Sequence, residues 1–469
     1  MNSFMESFSS VIGSVGDFLY TWILAALLII TGLYFSFKTG FVQIRLLPEA
    51  LKVILEKKPG KGVSSFQALM ISTASRVGTG NIIGVALAIG TGGPGAVFWM
   101  WLLAIIGSAS AFIESTLAQV YKVKDENGFR GGPAYYIQNA LKSRPFGILF
   151  SIFLIACFAF GFNALQAFNV GDSLKYYFPN YSDSIIPVLI GFVLATLTGL
   201  TIYGGVKRIG FITSGLVPIM ALIYIALGLF VTIKNINLLP SVFKSIFTEA
   251  FNFDAIFGGG IGAFTSSCVM QGIKRGLFSN EAGMGSAPNA AATADVSHPV
   301  KQGLVQMFSV FIDTIFICST TAMILLCSGV SEGRGMEFVQ NAVKANVGQF
   351  GIHFISVAVF LFAFSSLVGN YYYAEANIKF IKDDKVVLNV FRICCLIMIF
   401  FGTQLSLEAA WNLADLLMGF MAIVNIVAIL LLGNVAIKCL KDYVKQKKEG
   451  KEPVFKAKDI DLDNTECWK

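Results

Sequence analysis

The sequence predicts an all-α polytopic membrane protein of about 11 transmembrane helices, with one leading helix followed by two five-helix sets of opposite orientation. Three observations carry that expectation. Of 469 residues, 55% are hydrophobic and only 13% are charged, with a mean hydropathy of +0.71; a soluble chain of that length needs far more surface charge. Apolar runs of about 20 residues, the length that crosses a bilayer, recur along the whole chain. Two of them are interrupted by glycines in mid-span, at Val77-Gly78-Thr79-Gly80-Asn81 and between Ser279 and Gly285.

Taken in order, residues Met1 to Gly16 lack the basic start of a signal peptide and carry Glu6, so the run Phe18 to Phe37 is expected to be a retained first span. Lys38, Arg45, Lys52, Lys57, Lys58 and Lys61 follow, and the positive-inside rule places this loop in the cytoplasm and the N-terminus outside. Within it Leu47, Leu51, Ile54 and Leu55 share one helical face, with Pro48 in the first turn and Lys52 and Lys57 opposite, which predicts an interfacial helix. The second to sixth spans fall near Gln67 to Gly90, Ala96 to Tyr121, Phe146 to Val170, Ser184 to Tyr203 and Gly210 to Ile233. The seventh is a long broken stretch from about Phe257 to Ala294. The eighth to eleventh lie near Gly303 to Cys327, Ile352 to Tyr373, Val386 to Thr403 and Ala410 to Ala436.

Alternate threading then puts Lys122, Lys124, Arg130, Lys207, Arg208, Lys301, Lys379, Lys382 and Lys385 in the cytoplasm with the tail from Lys438, and leaves few basic residues outside. Lys274 and Arg275 alone fit that scheme poorly, and a gate is the one role they suggest. Setting the first helix aside leaves five and five, and an odd number forces the second set to enter the membrane inverted. The expected division is 1–61 for the first helix and its amphipathic linker, 62–254 and 255–437 for the two repeats, and 438–469 for a cytoplasmic tail.

The formal net charge of +7 does not mark a nucleic-acid binder, because the basic residues sit between apolar spans rather than on one face. The eight cysteines show no CxxC spacing and read as small buried hydrophobes. With His298 and His353 the only histidines, little remains for histidine metal sites or histidine catalysis. An intramembrane hydrolase would want a Ser-His pair or facing aspartates, and no GxSxG run accompanies either histidine. A channel would show a filter repeat or a ring of charge, and none recurs. The breaks say more. Lipid offers no partner to a free backbone N–H or C=O, so an interrupted span must lie inside protein or line a polar cavity. Paired breaks at matching positions of two inverted halves point to a transporter binding site, with half-helix N-termini facing anionic groups and unwound carbonyls holding a cation.

The runs RVGTGNIIGVALAIGTGGPGAVFWMW, GGPAYYI, GLFSNEAGMGSAPNAAATADVSHPVKQG and FAFSSLVGNYYYAEANI resemble the alanine/glycine:cation symporter family, from Gly62 to the last helix. That family is similar in fold to LeuT-type amino-acid transporters, with one extra N-terminal helix. The resemblance implies a sodium-coupled symporter of the cell membrane that imports small neutral amino acids by alternating access, without enzymatic chemistry and without a cofactor. It implies that Gly78, Thr79, Gly80 and Asn81 give N–H donors to the substrate carboxylate, where glycine permits close approach, and that carbonyls near Phe278 and Ser279 accept from the ammonium. Gly283-Met284-Gly285 matches the glycine-aromatic-glycine of the corresponding LeuT-type helix, with Met in place of the aromatic, which implies that Gly283 borders the substrate. Gln166 resembles a family glutamine facing the substrate. The sodium ligands implied are carbonyls of Ala74, Val77 and Phe362 with hydroxyls of Ser365 and Ser366, neutral oxygens that suit a hard monovalent ion; on the residues alone, the two serines equally suit hydrogen bonds within or between helices.

Ionisable residues inside spans are functional candidates by default, and Asp313, Glu114, Glu281 and Glu375 qualify. Glu281 can pair with Arg76 or Arg275 as a gate or lock. Asp313 suits either a second cation or proton site or a helix-fixing pair. Where several family members carry Trp, this chain has Asn370, which either widens the pocket towards glutamine and asparagine or bonds a neighbouring helix. The partners implied are thus a small neutral amino acid, sodium and the bilayer, with proton coupling as the alternative and oligomeric state open.

Overall fold

The computed structural model describes residues 2–57, 60, 62–125, 128–178, 180–251, 267–330 and 333–468. Among these, eight helices are long and apolar enough to cross a membrane, and two shorter apolar helices, Thr79–Gly92 and Ile186–Ile202, accompany them. Each predicted span is helical over most of its described length, an arrangement consistent with about 11 crossings. The seventh is seen from Ser267–Asn280 onward; its predicted start, 257–266, lies outside the described residues.

Local chemistry explains where the elements begin. Ser64 Oγ accepts from Gln67 N–H at 3.1 Å while Gln67 Oε1 accepts from Ser64 N–H at 3.1 Å, a reciprocal cap that starts the helix Ser65–Arg76. Asp384 caps Lys385–Gly402 through the N–H groups of Val386 and Val387, and Ser406 caps Leu407–Lys448 through Ala409. The third span, Gly95–Val120, is buried along most of its length. By contrast, Phe192, Leu222, Ile233 and Ile393 on the fifth, sixth and tenth spans are exposed, as lipid-facing surfaces should be. Among the described residues, three spans carry a π-helical segment, at Tyr20–Leu24, Ala156–Phe162 and Phe311–Cys318. Such a widened turn re-aims the side chains around it and tends to mark functional positions. The second and third segments lie beside Gln166 and around Asp313.

The short helix expected after the first span forms over Leu47–Leu55 with Pro48 in its first turn, leaving Leu51 and Leu55 exposed and Val53 and Ile54 buried. Five features differ from expectation. A hairpin pairs Val123–Asp125 with Gly128–Arg130, and short helices form at Leu239–Ala250 and Gly335–Val347; all three lie between spans, where hydropathy carries no signal. The eleventh helix runs on to Lys448, because helix-forming residues continue past the apolar stretch. The tail beyond it is not loose: it folds back over one face of the bundle, burying Phe455 and Trp468. Phe455 N–H donates to Ser297 O at 2.9 Å and Trp468 Nε1–H to Gln119 O at 2.7 Å. This side is called the tail face below.

Candidate functional site

The first break begins where Val77 leaves helical geometry, passes through an extended Gly78, and resumes in a single turn, Thr79–Asn81. Neither Gly78 nor Gly80 has a positive φ. Glycine therefore supplies space here rather than dihedral freedom. The break's own donors are held by side chains: Gly78 N–H donates to Asn81 Oδ1 at 2.9 Å, and Thr79 N–H donates to Gln166 Oε1 at 3.0 Å. Asn169 Nδ2 donates to Thr79 Oγ1 at 2.6 Å. Gln166 thus lies against the break, and Asn169 is a partner that sequence reasoning missed, although it stands one turn further along the same helix.

The ninth span, Gln349–Ile381, crosses this break at backbone contact. A Cβ on Gly369 would stand 2.6 Å from Ser75 N, so only glycine permits the approach. One turn earlier, Ser366 Oγ donates to Ala74 O at 3.1 Å and Val77 O at 3.4 Å. Ser365 Oγ donates to Phe362 O at 2.9 Å. The structure therefore gathers Ala74, Val77 and Ser366 around one point, with the Phe362–Ser365 pair on the adjoining turn, and all five residues are buried. Asn370 lies one turn beyond, fully buried; its Oδ1 accepts from Ser75 Oγ at 2.7 Å and its Nδ2 donates to Asn163 Oδ1 at 3.2 Å.

Asp313 joins the two breaks. Its Oδ1 accepts from Asn81 Nδ2 at 2.6 Å, and its Oδ2 accepts from Ser279 Oγ and, at 3.1 Å, from Thr314 Oγ1. The carboxyl is fully buried, and among the described residues no basic side chain lies within ion-pairing distance. Arg76 and Glu281 do come together, Nε to Oε2 at 3.7 Å with both side chains buried. Arg76 also donates to Ser309 Oγ, and Glu281 accepts from Ser286 Oγ at 2.6 Å.

Gly283 is not brought to the first break. It and Gly285 adopt φ of +83° and +87°, left-handed conformations that favour glycine. Their N–H groups donate to Glu114 at 3.3 and 3.1 Å, and Asn425 Nδ2 donates to the same carboxylate at 2.7 Å. A buried glutamate on the third span thus accepts from two N–H groups of the second break. Glu375 serves the tail face instead, paired with Lys379 at 2.8 Å.

On the side away from the tail, the Phe278 ring covers Gly80 and packs between Phe162 and Trp411, with centroids at 4.7 and 5.3 Å. Above it Arg275 lies over Trp411 at 4.3 Å and pairs with Asp415 at 2.5 Å, both nearly buried. Lys274 pairs with Asp17 at 2.5 Å. These contacts account for the two cations that fitted the threading poorly. Asp415 and Trp411 were not foreseen, yet a lone acid in an apolar span is the signal that had flagged Asp313. On the tail face Asp295 N–H donates to Val63 O at 2.9 Å, and Lys301 Nζ reaches Glu56 and Glu452, each at 2.6 Å. Packed and paired side chains thus lie on both sides of the breaks.

Comparison with known proteins gives a consistent result. The profile described as the sodium:alanine symporter family matches residues 5–457. The chain is 50% identical over 468 residues to the amino-acid carrier protein AlsT of Bacillus subtilis (strain 168), covering 99% of this chain and 98% of the relative. It is 46% identical to the same organism's "Probable sodium/glutamine symporter GlnT", covering 98% and 95%. Among solved structures, MhsT in complex with L-phenylalanine superposes with a TM-score of 0.56 at 14% identity, over 82% of this chain and 99% of that one. That likeness concerns the fold, a LeuT-like bundle with two broken helices.

Proposed function

The chain belongs to the sodium:alanine symporter family, and from that premise we propose that it imports small neutral amino acids coupled to sodium, with its N-terminus outside the cell and its tail in the cytoplasm. The observation that carries this reading is the meeting of Ser366 Oγ with the Ala74 and Val77 carbonyls at the first break. Neutral oxygens drawn from an unwound helix end and a facing hydroxyl suit a hard monovalent cation. The amino acid sits beside them, against Gly78–Asn81, Gln166, Phe278 and Ser279. The ion and the amino acid each favour the closed arrangement, and coupling follows from that shared preference. Arg275–Asp415 with the Phe278–Trp411 layer forms the outer gate. The Val63–Asp295 contact and the tail form the inner one. Asp313 is a second cation or proton position within the same pocket, and Arg76–Glu281 locks the broken helices together.

Uptake of labelled alanine into proteoliposomes tests the reading: an inward sodium gradient drives accumulation, and undiminished uptake with choline in place of sodium, or with a proton gradient alone, refutes it. Ser366→Ala is expected to raise the sodium concentration for half-maximal uptake about tenfold, since losing a good oxygen ligand is worth on the order of 1 to 2 kcal/mol. An unchanged sodium dependence would remove Ser366 from the ion site.

The substrate range extends to glutamine, a finer reading supported by the name of the 46% identical relative and by Asn370, a small amide where an indole would fill the pocket. Asn370→Trp should weaken competition by unlabelled glutamine against labelled alanine more than it weakens alanine uptake itself. Equal losses, or no glutamine competition in the wild type, would assign Asn370 to its bonds with Ser75 and Asn163 alone.

A further inference from the structure

Where the first and eleventh spans emerge at the tail face, they leave an open cleft of about 660 Å³ lined by Phe37, Lys38, Arg45, Leu440, Lys441 and Lys445, among others. The two faces of the eleventh helix differ at this level. One is spent on protein: Asp442 pairs with His298, Tyr443 and Lys447 reach Glu49, and Gln446 Nε2 donates to Val454 O. The other carries Lys441, Lys445 and Lys448, spaced four and three residues apart and hence on one helical face. All three are exposed, as are Lys38 and Arg45 across the cleft, and among the described residues none of the five has a carboxylate within ion-pairing distance. The one acid on the rim, Glu449, is already paired with Lys451 at 2.7 Å.

The floor and flank of the cleft are apolar. The apolar lining consists of Phe37, which is 67% exposed, the half-buried Val444 and the nearly buried Ile437 and Leu440; Ile44, next to Arg45, is 63% exposed. The neighbouring short helix turns Leu51 and Leu55 outward at the same level. Cations without a carboxylate partner beside the exposed Phe37 and the half-buried Val444, at the end of two membrane spans, fit a ligand that carries a phosphate above hydrocarbon; of the Arg45 donors, one at Nη2 is given to Thr39 O at 3.2 Å. We propose that this cleft binds an anionic glycerophospholipid, with the headgroup phosphate held by Arg45, Lys441 and Lys445 and the acyl chains lying along Phe37 and Val444. Arg45 supplies a planar fork for two phosphate oxygens and the lysines supply point charges. The bound lipid ties the first helix to the extension of the eleventh, whose opposite face carries the tail.

The test is thermal unfolding of the full-length protein in an uncharged detergent, with phosphatidylglycerol, phosphatidylcholine or inorganic phosphate added. Phosphatidylglycerol should raise the unfolding midpoint of the wild type, and phosphatidylcholine and phosphate should not. Each cation removed should weaken phosphatidylglycerol binding about fivefold, so the Arg45→Ala, Lys441→Ala, Lys445→Ala triple variant should lose nearly all of the shift. The charge-keeping variant Arg45→Lys, Lys441→Arg, Lys445→Arg should retain most of it. Equal shifts from phosphatidylcholine, a shift reproduced by phosphate alone, or a full shift in the alanine variant would each overturn the proposal. Should the alanine variant fail to fold, the wild type still decides: the phosphatidylglycerol shift must shrink with added salt, and a salt-independent shift overturns it. Because the readout is stability, the outcome is independent of whether sodium drives transport.

Discussion

Gly80→Val is expected to abolish sodium-driven alanine uptake, and with it the rise in melting temperature expected when alanine is added to the purified wild type, while the protein still inserts in the membrane. A Cβ at this position overlaps Cε1 and Cδ1 of Phe278. That ring cannot simply swing aside, because Phe162 and Trp411 pack on it from either side. Relief must come from moving the second broken helix or from distorting the first break, and overpacking of this kind costs about 1 to 3 kcal/mol. The strain falls on the segment against which the amino acid is proposed to sit, so binding is lost before folding is. Gly215→Ala provides the comparison, since a Cβ there meets nothing within 4 Å, and it should transport like the wild type. Normal stabilisation of Gly80→Val by alanine would show that the break has a packing role only.

What the sequence disclosed, and what it concealed, follows from the range of each signal. Hydropathy and glycine placement are local, so the spans, the two breaks and the short helix at Leu47–Leu55 could be read directly. The meeting of Ser366 with Ala74 and Val77 spans nearly 300 positions, and no local pattern encodes it; the motif resemblance alone brought those residues forward. The long-range partner of the second break is equally absent from the motif. Gly283 has the expected backbone freedom, but Glu114, from a span 169 positions earlier, accepts its N–H. The folded-back tail escaped notice for a different reason. Its docking rests on isolated anchors, Phe455 and Trp468, in a polar stretch with no periodicity.

Asp313→Asn should reduce sodium-driven uptake by at least about tenfold without unfolding the protein, and the reason lies in which groups face that carboxylate. Asn81 Nδ2, Ser279 Oγ and Thr314 Oγ1 all donate to it, so it serves as the common acceptor for the first break, the second break and the eighth span. An asparagine keeps the shape but supplies only one acceptor oxygen, and its NH2 group confronts donors; a buried polar group left unpaired costs about 1 to 3 kcal/mol. The charge itself matters separately, because a buried carboxylate without a basic partner is stabilised when a cation or a proton binds beside it. The two contributions can be separated by exchanging the residues. In Asn81→Asp, Asp313→Asn the amide–carboxylate hydrogen bond is re-formed with the charge moved onto the first break. If the exchange restores both thermal stability and sodium-driven uptake, Asp313 is a tie between helices and nothing more. The expected result is recovery of stability with uptake still lost, which places the requirement on a negative charge at position 313. Uptake by the single Asp313→Asn variant within twofold of the wild type would remove the residue from the coupling site altogether.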